Sequence, residues 1–488
     1  MFILDSRNMK KIVYYLVFLW GSVASSACND WLTVQPETVI VADNLFSTDE
    51  GVQKALIGSY LQLRDIIYRP DGCMGGAGLA EWLACTWDNS TIGSREYEIR
   101  NHTYGEAADS WLNDAFRNMY NIVTNLNPLI EGLDKYRSKL DSTVYNITKG
   151  EALAIRACIH LDLIRLWGPV PSNLDVAEKY LPYVRVNSTE RYVYVTFSEY
   201  MEYLFNDLNE AENLLKRSDP VLKNTFESTE EVSGFLSYRK SRINYYGVLG
   251  LQARAHLWIG DKEGALKYAR EIKNAKNVDG ISKFRLTNEE DDFPLKENGL
   301  HSWVDGTSYC EHICGLNCDN YDYSKGGWQD GRPSLYNKKT DFEEKMFGKN
   351  KNDLRYKYLW RSERTSTMTA GYVCRKYRGF YVSSKSMKNF PIVRLSEIYF
   401  IIMECAALSE ANLAYKEFCE ARGMDYIPLQ TEDRQMRIMT EYLRELAGEG
   451  QNFFTYKRFN VRRMWFSDTD CSEEQYRLPI PEKEYVEE

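Results

Sequence analysis

The sequence predicts an all-helical fold. Two observations carry that prediction: apolar residues recur at three- and four-residue steps over several long segments, and pairs of such segments are joined by short turns. A third sets its limit, since one long stretch, about 277–387, loses the helical period and turns to glycine, asparagine, aspartate and aromatic residues. Over 111–133, Trp111, Ala115, Met119, Ile122, Leu126 and Leu133 line one helical face, and Asn127 before Pro128 predicts a new turn there. Over 197–215 the pattern repeats with Tyr200, Leu204, Leu208, Ala211 and Leu214, and Thr196 or Ser198 is the expected N-cap. From 245 to 275 the chain reads as a helical hairpin, its first helix ending near Ile259 and turning at Gly260-Asp261. Ala253 and Ala265 in its two helices are spaced like the small residues of tetratricopeptide-like hairpins, where paired helices approach closely. A second hairpin of like size is expected over 395–421, with its bend near Glu410-Ala411-Asn412. Long irregular segments in compact proteins are usually functional loops or disorder, and the tryptophans and tyrosines of 277–387 argue against disorder.

The first residues run from Arg7, Lys10 and Lys11 through an apolar stretch, 12–20, to Gly21, Ser22, Ala24, Ser25, Ser26 and Ala27. That is the layout of a secretory signal, and the stretch is short of the ~20 residues a membrane-spanning helix needs. Cys28 follows directly and resembles the acylated cysteine of a bacterial lipobox, although Ser25 stands where an aliphatic residue is usual, so plain cleavage stays open. The expected organisation is a signal over 1–27 and one domain over 28–488. The net charge of −9 and the lack of a basic stripe disfavour nucleic acid. The 11 cysteines permit disulfides outside the cytoplasm, but a chain of 488 residues builds a core without them.

Four segments, in order, resemble the SusD/RagB family of outer-membrane nutrient-binding lipoproteins. Gly150-Glu151-Ala152, Arg156-Ala157, His160-Leu161-Asp162-Leu163 and Gly168-Pro169-Val170-Pro171 follow the family's GEA, RA, YFDL and GxVP pattern. Asp162 and Arg165 are spaced to pair on a helix that Gly168 and Pro169 stop. Residues 390–399 resemble the family's strand leading into a helix with an RxxE core, here Arg394 and Glu397. Arg444-Glu445-Leu446 to Lys457-Arg458 resembles its REL, EGxR, DLxR signature, with Asn452, Thr455 and Tyr456 in place of the usual arginine, aspartate and leucine, which puts local ion pairing in question. Leu478-Pro479-Ile480-Pro481 matches its closing PIP.

The resemblance implies a tetratricopeptide-like helical scaffold whose loops carry the ligand site. It implies a TonB-dependent, SusC-like outer-membrane transporter as partner, a lipid anchor at Cys28, placement on the cell surface, an oligosaccharide ligand, no cofactor and no catalysis. Because relatives place ligand aromatics in an early loop and in one past the middle, the expected site comprises Trp82, Trp87, Asp88 and Asn89 with Trp303, Asp305, Tyr309, Tyr321, Tyr323, Trp328 and Asp330. Flat rings stack on pyranose faces while carboxylates and amides bond hydroxyls. The competing reading of each aromatic is core packing.

Three other clusters point elsewhere. Cys310, His312, Cys314 and Cys318 match no common zinc spacing and read as disulfides or free thiols. The run Glu289-Glu290-Asp291-Asp292 lacks a calcium-loop pattern and reads as solvated. Gly75, Gly76 and Gly78 come near a nucleotide loop, but Glu81 stands where a third glycine is wanted and no lysine follows. Among functions, a peptide cargo keeps the fold and changes the ligand. A glycoside hydrolase needs two placed carboxylates, and no motif singles out a pair among the 70 acidic residues.

Overall fold

The computed structural model describes residues 43–88, 90–231, 234–293, 306–318, 336–338, 340–348, 350–363, 371–377 and 388–482. The proposed signal and Cys28 therefore lie outside the described residues. The scaffold is built from helices α1 (Asp49–Gln62), α2 (Leu79–Leu83), α3 (Arg95–Arg100), α4 (Glu106–Lys135), α5 (Ser142–Trp167), α6 (Phe197–Ser218), α7 (Tyr245–Trp258), α8 (Lys262–Lys273), α9 (Leu395–Cys405), α10 (Leu408–Ala421), α11 (Arg434–Glu445) and α12 (Asn452–Arg458). Each long helix packs on its predecessor, α4 on α5, α5 on α6, α6 on α7, α7 on α8, α8 on α9 and α9 on α10. That serial packing is the all-helical architecture the periodicity predicts.

Local chemistry sets the helix starts. Asp141 accepts from the Thr143 and Val144 amides at 2.8 and 3.1 Å, Asn244 from Gly247 at 3.1 Å and Asp261 from Gly264 at 2.9 Å. Thr196 and Glu199 form a reciprocal capping box on α6. Each cap satisfies amides that have no partner within the helix and contributes about 1 kcal/mol. The α7–α8 hairpin turns at Gly260 with φ +80°, as expected, and Ala253 and Ala265 are fully buried in it.

Helix α5 carries the Gly150 motif and is buried on every face from Ile147 to Trp167. A Cβ at Gly150 would stand 2.8 Å from Leu215 Cγ of α6, so the glycine permits the close crossing. The charges that α5 takes inside are all paired. Glu151 accepts from Arg239, Arg242 and the Tyr60 hydroxyl, Arg156 holds Asp207 through two 2.7 Å bonds, and Asp162 pairs with Arg165 as the spacing predicts. At its C-terminus, Lys457 of α12 donates to the carbonyls of Arg165, Leu166 and Gly168 at 2.8, 3.2 and 2.8 Å. The motif residues are therefore structural, which is why they identify the fold rather than a ligand.

Three expectations are corrected. The chain does not start a new turn at Pro128, because α4 runs unbroken through it. A proline there withholds the amide that would bond Thr124 O, and the Asn187 side chain supplies that bond at 2.7 Å. Asn187 Oδ1 in turn accepts from Asn127, whose own oxygen accepts from Arg156. The bend of the second hairpin falls at Ala406–Ala407, so Glu410, Ala411 and Asn412 lie in the first turns of α10. Glu410 there faces the positive end of the helix dipole and pairs with Arg270 of α8.

The stretch 277–387 also contains regular structure. Strand β3 (His312–Asn317) pairs antiparallel with β7 (Asn389–Arg394), and β4 (Tyr336–Asn337), β6 (Gly371–Cys374) and β5 (Trp360–Glu363) form a three-stranded sheet in that order. Strands β1 (Lys179–Leu181) and β2 (Val195–Thr196) form a third small pair. These short strands are added to a helical protein and do not make a second layer.

A buried ion network joins β7, α10 and α11. Arg394 bonds Glu449, Glu311 and Glu445 at 2.9, 3.0 and 3.0 Å, Arg422 bonds Glu311 and Glu445 at 2.6 and 2.8 Å, and Arg355 bonds Asp353 and Glu441 at 2.7 and 2.8 Å. The RxxE residues do not pair with each other: Arg394 enters this network while Glu397 holds Arg254 at 2.7 and 2.8 Å. Where the REL signature departs from its pattern, Asn452 donates to Leu443 O at 3.0 Å and the Tyr456 hydroxyl accepts from Trp465 N, so those positions carry neutral hydrogen bonds. No helix among the described residues is long and apolar enough to cross a membrane.

Candidate functional site

The early candidate segment begins in a coil of tight turns at 69–78. A Cβ on Gly75 or Gly78 would fall within 2 Å of Arg69 O or Gly72 O, so these glycines serve backbone close approach and do not cradle a phosphate. Glu81 of α2 is buried and accepts from the Gly450 amide at 2.7 Å. Burial pushes its carboxyl up to about 7.

Trp82 and Trp87 flank Cys85, which turns the chain with φ +55°. Both rings are buried: Trp82 is 5 % exposed and donates to Ala77 O at 3.2 Å, and Trp87 is 0 % exposed and donates to Gly76 O at 3.0 Å. The Trp87 ring packs 6.0 Å from Trp360 of β5, which packs 4.7 Å from Phe342. As packed here they are core residues and do not offer a stacking face.

Asp88 occupies the junction between the two candidate regions. Its amide donates to Tyr336 O at 2.9 Å, it bridges Asn337, and the Asn337 side chain returns a 3.0 Å bond to Thr86 O. The early segment is thereby tied to β4, the point where the chain returns from 319–335. The Asp88 carboxyl is buried, with Arg100 3.4 Å and Lys338 3.9 Å from its Oδ1. Other described ends within the 277–387 stretch are rooted in the fold. Cys318 N bonds Lys388 O at 2.6 Å, and Gly306 lies so close to Lys376 O that a Cβ would meet it at 2.6 Å.

Tyr309 is half-buried, with Lys240 Nζ 4.7 Å above its ring and His312 5.4 Å away. Asn89, Trp303, Asp305, Tyr321, Tyr323, Trp328 and Asp330 fall outside the described residues.

The cysteine cluster is resolved by strand geometry. Cys314 is buried and free, Cys310 is half-buried and free, Cys318 is buried with its thiol 3.4 Å from Leu316 O, and His312 bonds Thr307 O and Asn389. Cys310 and Cys314 stand as free thiols, one of the two readings of that spacing. Among the described residues no group of His, Cys, Asp or Glu is arranged to hold a metal ion. The acidic run forms a short helix, Glu289–Asp292, capped by Asn288, and Arg285 holds Asp292 at 2.7 and 2.9 Å.

One feature of the surface has no counterpart among the motifs of the sequence. Along the outer face of α4 lies a half-open groove of about 990 Å³, bounded across from the helix by 182–194 and at one end by Pro481 and Glu482. Tyr104, Tyr120, Tyr192 and Tyr194 line it with the polar side chains of α4. Helix α3 links α4 to the Asp88 junction, since Arg100 faces Asp88 while Arg95 lies 4.2 Å over the Trp111 ring of α4. Its one sequence signal is Tyr192 and Tyr194, whose spacing of two puts both rings on one side of an extended chain.

Comparison with known proteins agrees with the fold. Residues 317–487 match the model of the SusD family, and residues 84–229 match a family model described as starch-binding associating with outer membrane. A SusD-like protein of Bacteroides ovatus is 24 % identical over 300 residues, 58 % of this chain; the match spans 47 %, about half, of that relative's length. A SusD superfamily crystal structure from Bacteroides thetaiotaomicron superposes with a TM-score of 0.69 at 19 % identity, covering 90 % of this chain and 97 % of that one. A SusD-like carbohydrate binding protein from Bacteroides vulgatus gives 0.64 at 17 % identity (90 % and 96 %), and a laminarin binding SusD-like protein gives 0.60 at 16 % (89 % and 96 %).

Proposed function

Because this chain belongs to the SusD/RagB family, we propose that it is a non-catalytic carbohydrate-binding protein of the outer membrane, one that captures oligosaccharide at the cell surface and passes it to a SusC-like TonB-dependent transporter. Residues 1–27 act as a secretory signal and Cys28 carries the lipid anchor, leaving a single domain over 28–488. The observation that carries the reading is the junction at Asp88, where the early candidate segment hydrogen-bonds the strand that ends 319–335. Two segments far apart in sequence thereby share one place on the scaffold. The ligand contacts are proposed to come from Asn89 and Tyr309 with Trp303, Asp305, Tyr321, Tyr323, Trp328 and Asp330, while the buried Asp88 holds the junction beside them. Trp82 and Trp87 support them from the core.

A glycan array followed by calorimetry tests the proposal. Micromolar to millimolar binding of one glycan class is expected, weakened by Trp303→Ala and Trp328→Ala with the fold retained. Binding of peptides with no glycan bound, or release of product from any glycan, overturns it.

A further inference from the structure

We infer that the α4 groove is a second oligosaccharide site, distinct from the loop junction and selective for neutral sugars. The inference rests on the carbohydrate-binding reading above and adds a place and a ligand class to it. Four observations support it.

The first is size. A half-open volume of about 990 Å³ lies at the upper end of the range for built small-ligand sites, ~300–1,000 Å³. The second is the aromatic lining. The Tyr120 hydroxyl donates to Pro182 O at 3.0 Å, the Tyr192 hydroxyl accepts from Ser188 N at 3.3 Å, and Tyr104 donates to Gln475 O. These bonds fix rings that line the groove, and fixed rings stack on a sugar face at little entropic cost.

The third is the polar set. Asp109, Asn113, Arg117 and Asn121 recur at four-residue steps along α4, with Asp114 three residues before Arg117, so they form one polar row that lines the groove together with the tyrosines. Asn113 donates to Asp109 at 2.8 Å and Arg117 to Asp114 at 2.5 Å. Planar carboxylates and amides braced in this way bond vicinal hydroxyls bidentately. The fourth is charge. Glu106, Asp109, Asp114 and Glu482 outnumber Arg117 and Arg191, so the groove accepts hydroxyl donors and repels uronate or sulfated chains.

The test uses purified full-length mature protein, the best neutral glycan from the array cut to short oligomers, and polygalacturonate as the acidic probe. Calorimetry of the wild type is expected to show two oligosaccharides per chain, and hydrogen exchange to show glycan-dependent protection over 104–124 and 190–194. In Tyr192→Ala and, separately, Asn113→Ala, groove affinity drops about tenfold while the loop site is unchanged. In Trp303→Ala/Trp328→Ala the groove protection persists. One oligosaccharide per chain with no protection of the groove segments overturns the inference and leaves the carbohydrate reading standing. Protection by polygalacturonate in place of the neutral oligomer overturns the ligand class. Absence of any glycan binding overturns both.

Discussion

Replacing Glu445 with glutamine tests whether the buried network organises this half of the protein. Glu445 is 4 % exposed, and its two oxygens accept from Arg394 at 3.0 Å, Arg422 at 2.8 and 3.1 Å and Arg355 at 3.3 Å. At an effective dielectric of 20 and separations near 4 Å, each pair is worth about 4 kcal/mol, roughly 12 kcal/mol gross for three guanidinium groups. Desolvating the carboxylate costs several kcal/mol, which glutamine avoids, so a net loss of about 3–5 kcal/mol is expected.

The pH dependence sharpens the test. Burial alone raises the Glu445 carboxyl, but Arg422 and Arg394 outweigh it and hold it well below the ordinary carboxylate range. A carboxyl depressed in the folded state contributes fully above its unfolded value and loses that contribution as pH falls through the folded one. The gap between wild type and Glu445→Gln, measured by urea unfolding followed through tryptophan fluorescence, should therefore be widest at neutral pH and close below about pH 4.5. Exposed Glu432→Gln serves as control and should change stability by less than about 0.5 kcal/mol. A Glu445→Gln protein within 0.5 kcal/mol of wild type at pH 7, or a gap that ignores pH, refutes the reasoning.

Asn187→Ala removes the donor to Thr124 O and should cost about 1–2 kcal/mol in urea unfolding; adding Pro128→Ala restores an amide for that carbonyl and should recover part of the loss. Gly150→Ala places a methyl 2.8 Å from Leu215 Cγ and should lower the thermal midpoint, at a cost of about 1–3 kcal/mol that outweighs its helix-forming gain. Burial lowers the imidazoles of His102, to about 4, and of His160 and His312. The unfolded chain takes up protons that the folded one refuses, so stability should fall as pH drops from 6.5 towards 4, by about 3 kcal/mol for His102 alone, and His102→Asn should flatten that slope.

The residues by themselves determine the helices, because their signals are local. Capping side chains and three-to-four-residue periods act within a turn or two, so α6 and the α7–α8 hairpin are legible from 197–215 and 245–275, and such local signals fail where a distant group intervenes. Asn187 does so at Pro128, rescuing a carbonyl that local reasoning leaves without a donor. The Gly150 and Glu445 motifs carry the family resemblance, and each holds a buried charge or a close crossing.

Which face an aromatic presents is not a local property. Trp87 is inside because its N–H finds Gly76 O and its ring finds Trp360, a residue 273 positions later in the chain. The same holds for strand β3, drawn from an aperiodic stretch to pair with β7, and for the Asp88 junction with Tyr336. The α4 groove is assembled from 104–124, 182–194 and 481–482, segments with no shared period. Bringing such segments together requires loop closure, whose entropy only the packed interior offsets, and so the scaffold was written in the residue pattern while the sites were decided by tertiary structure.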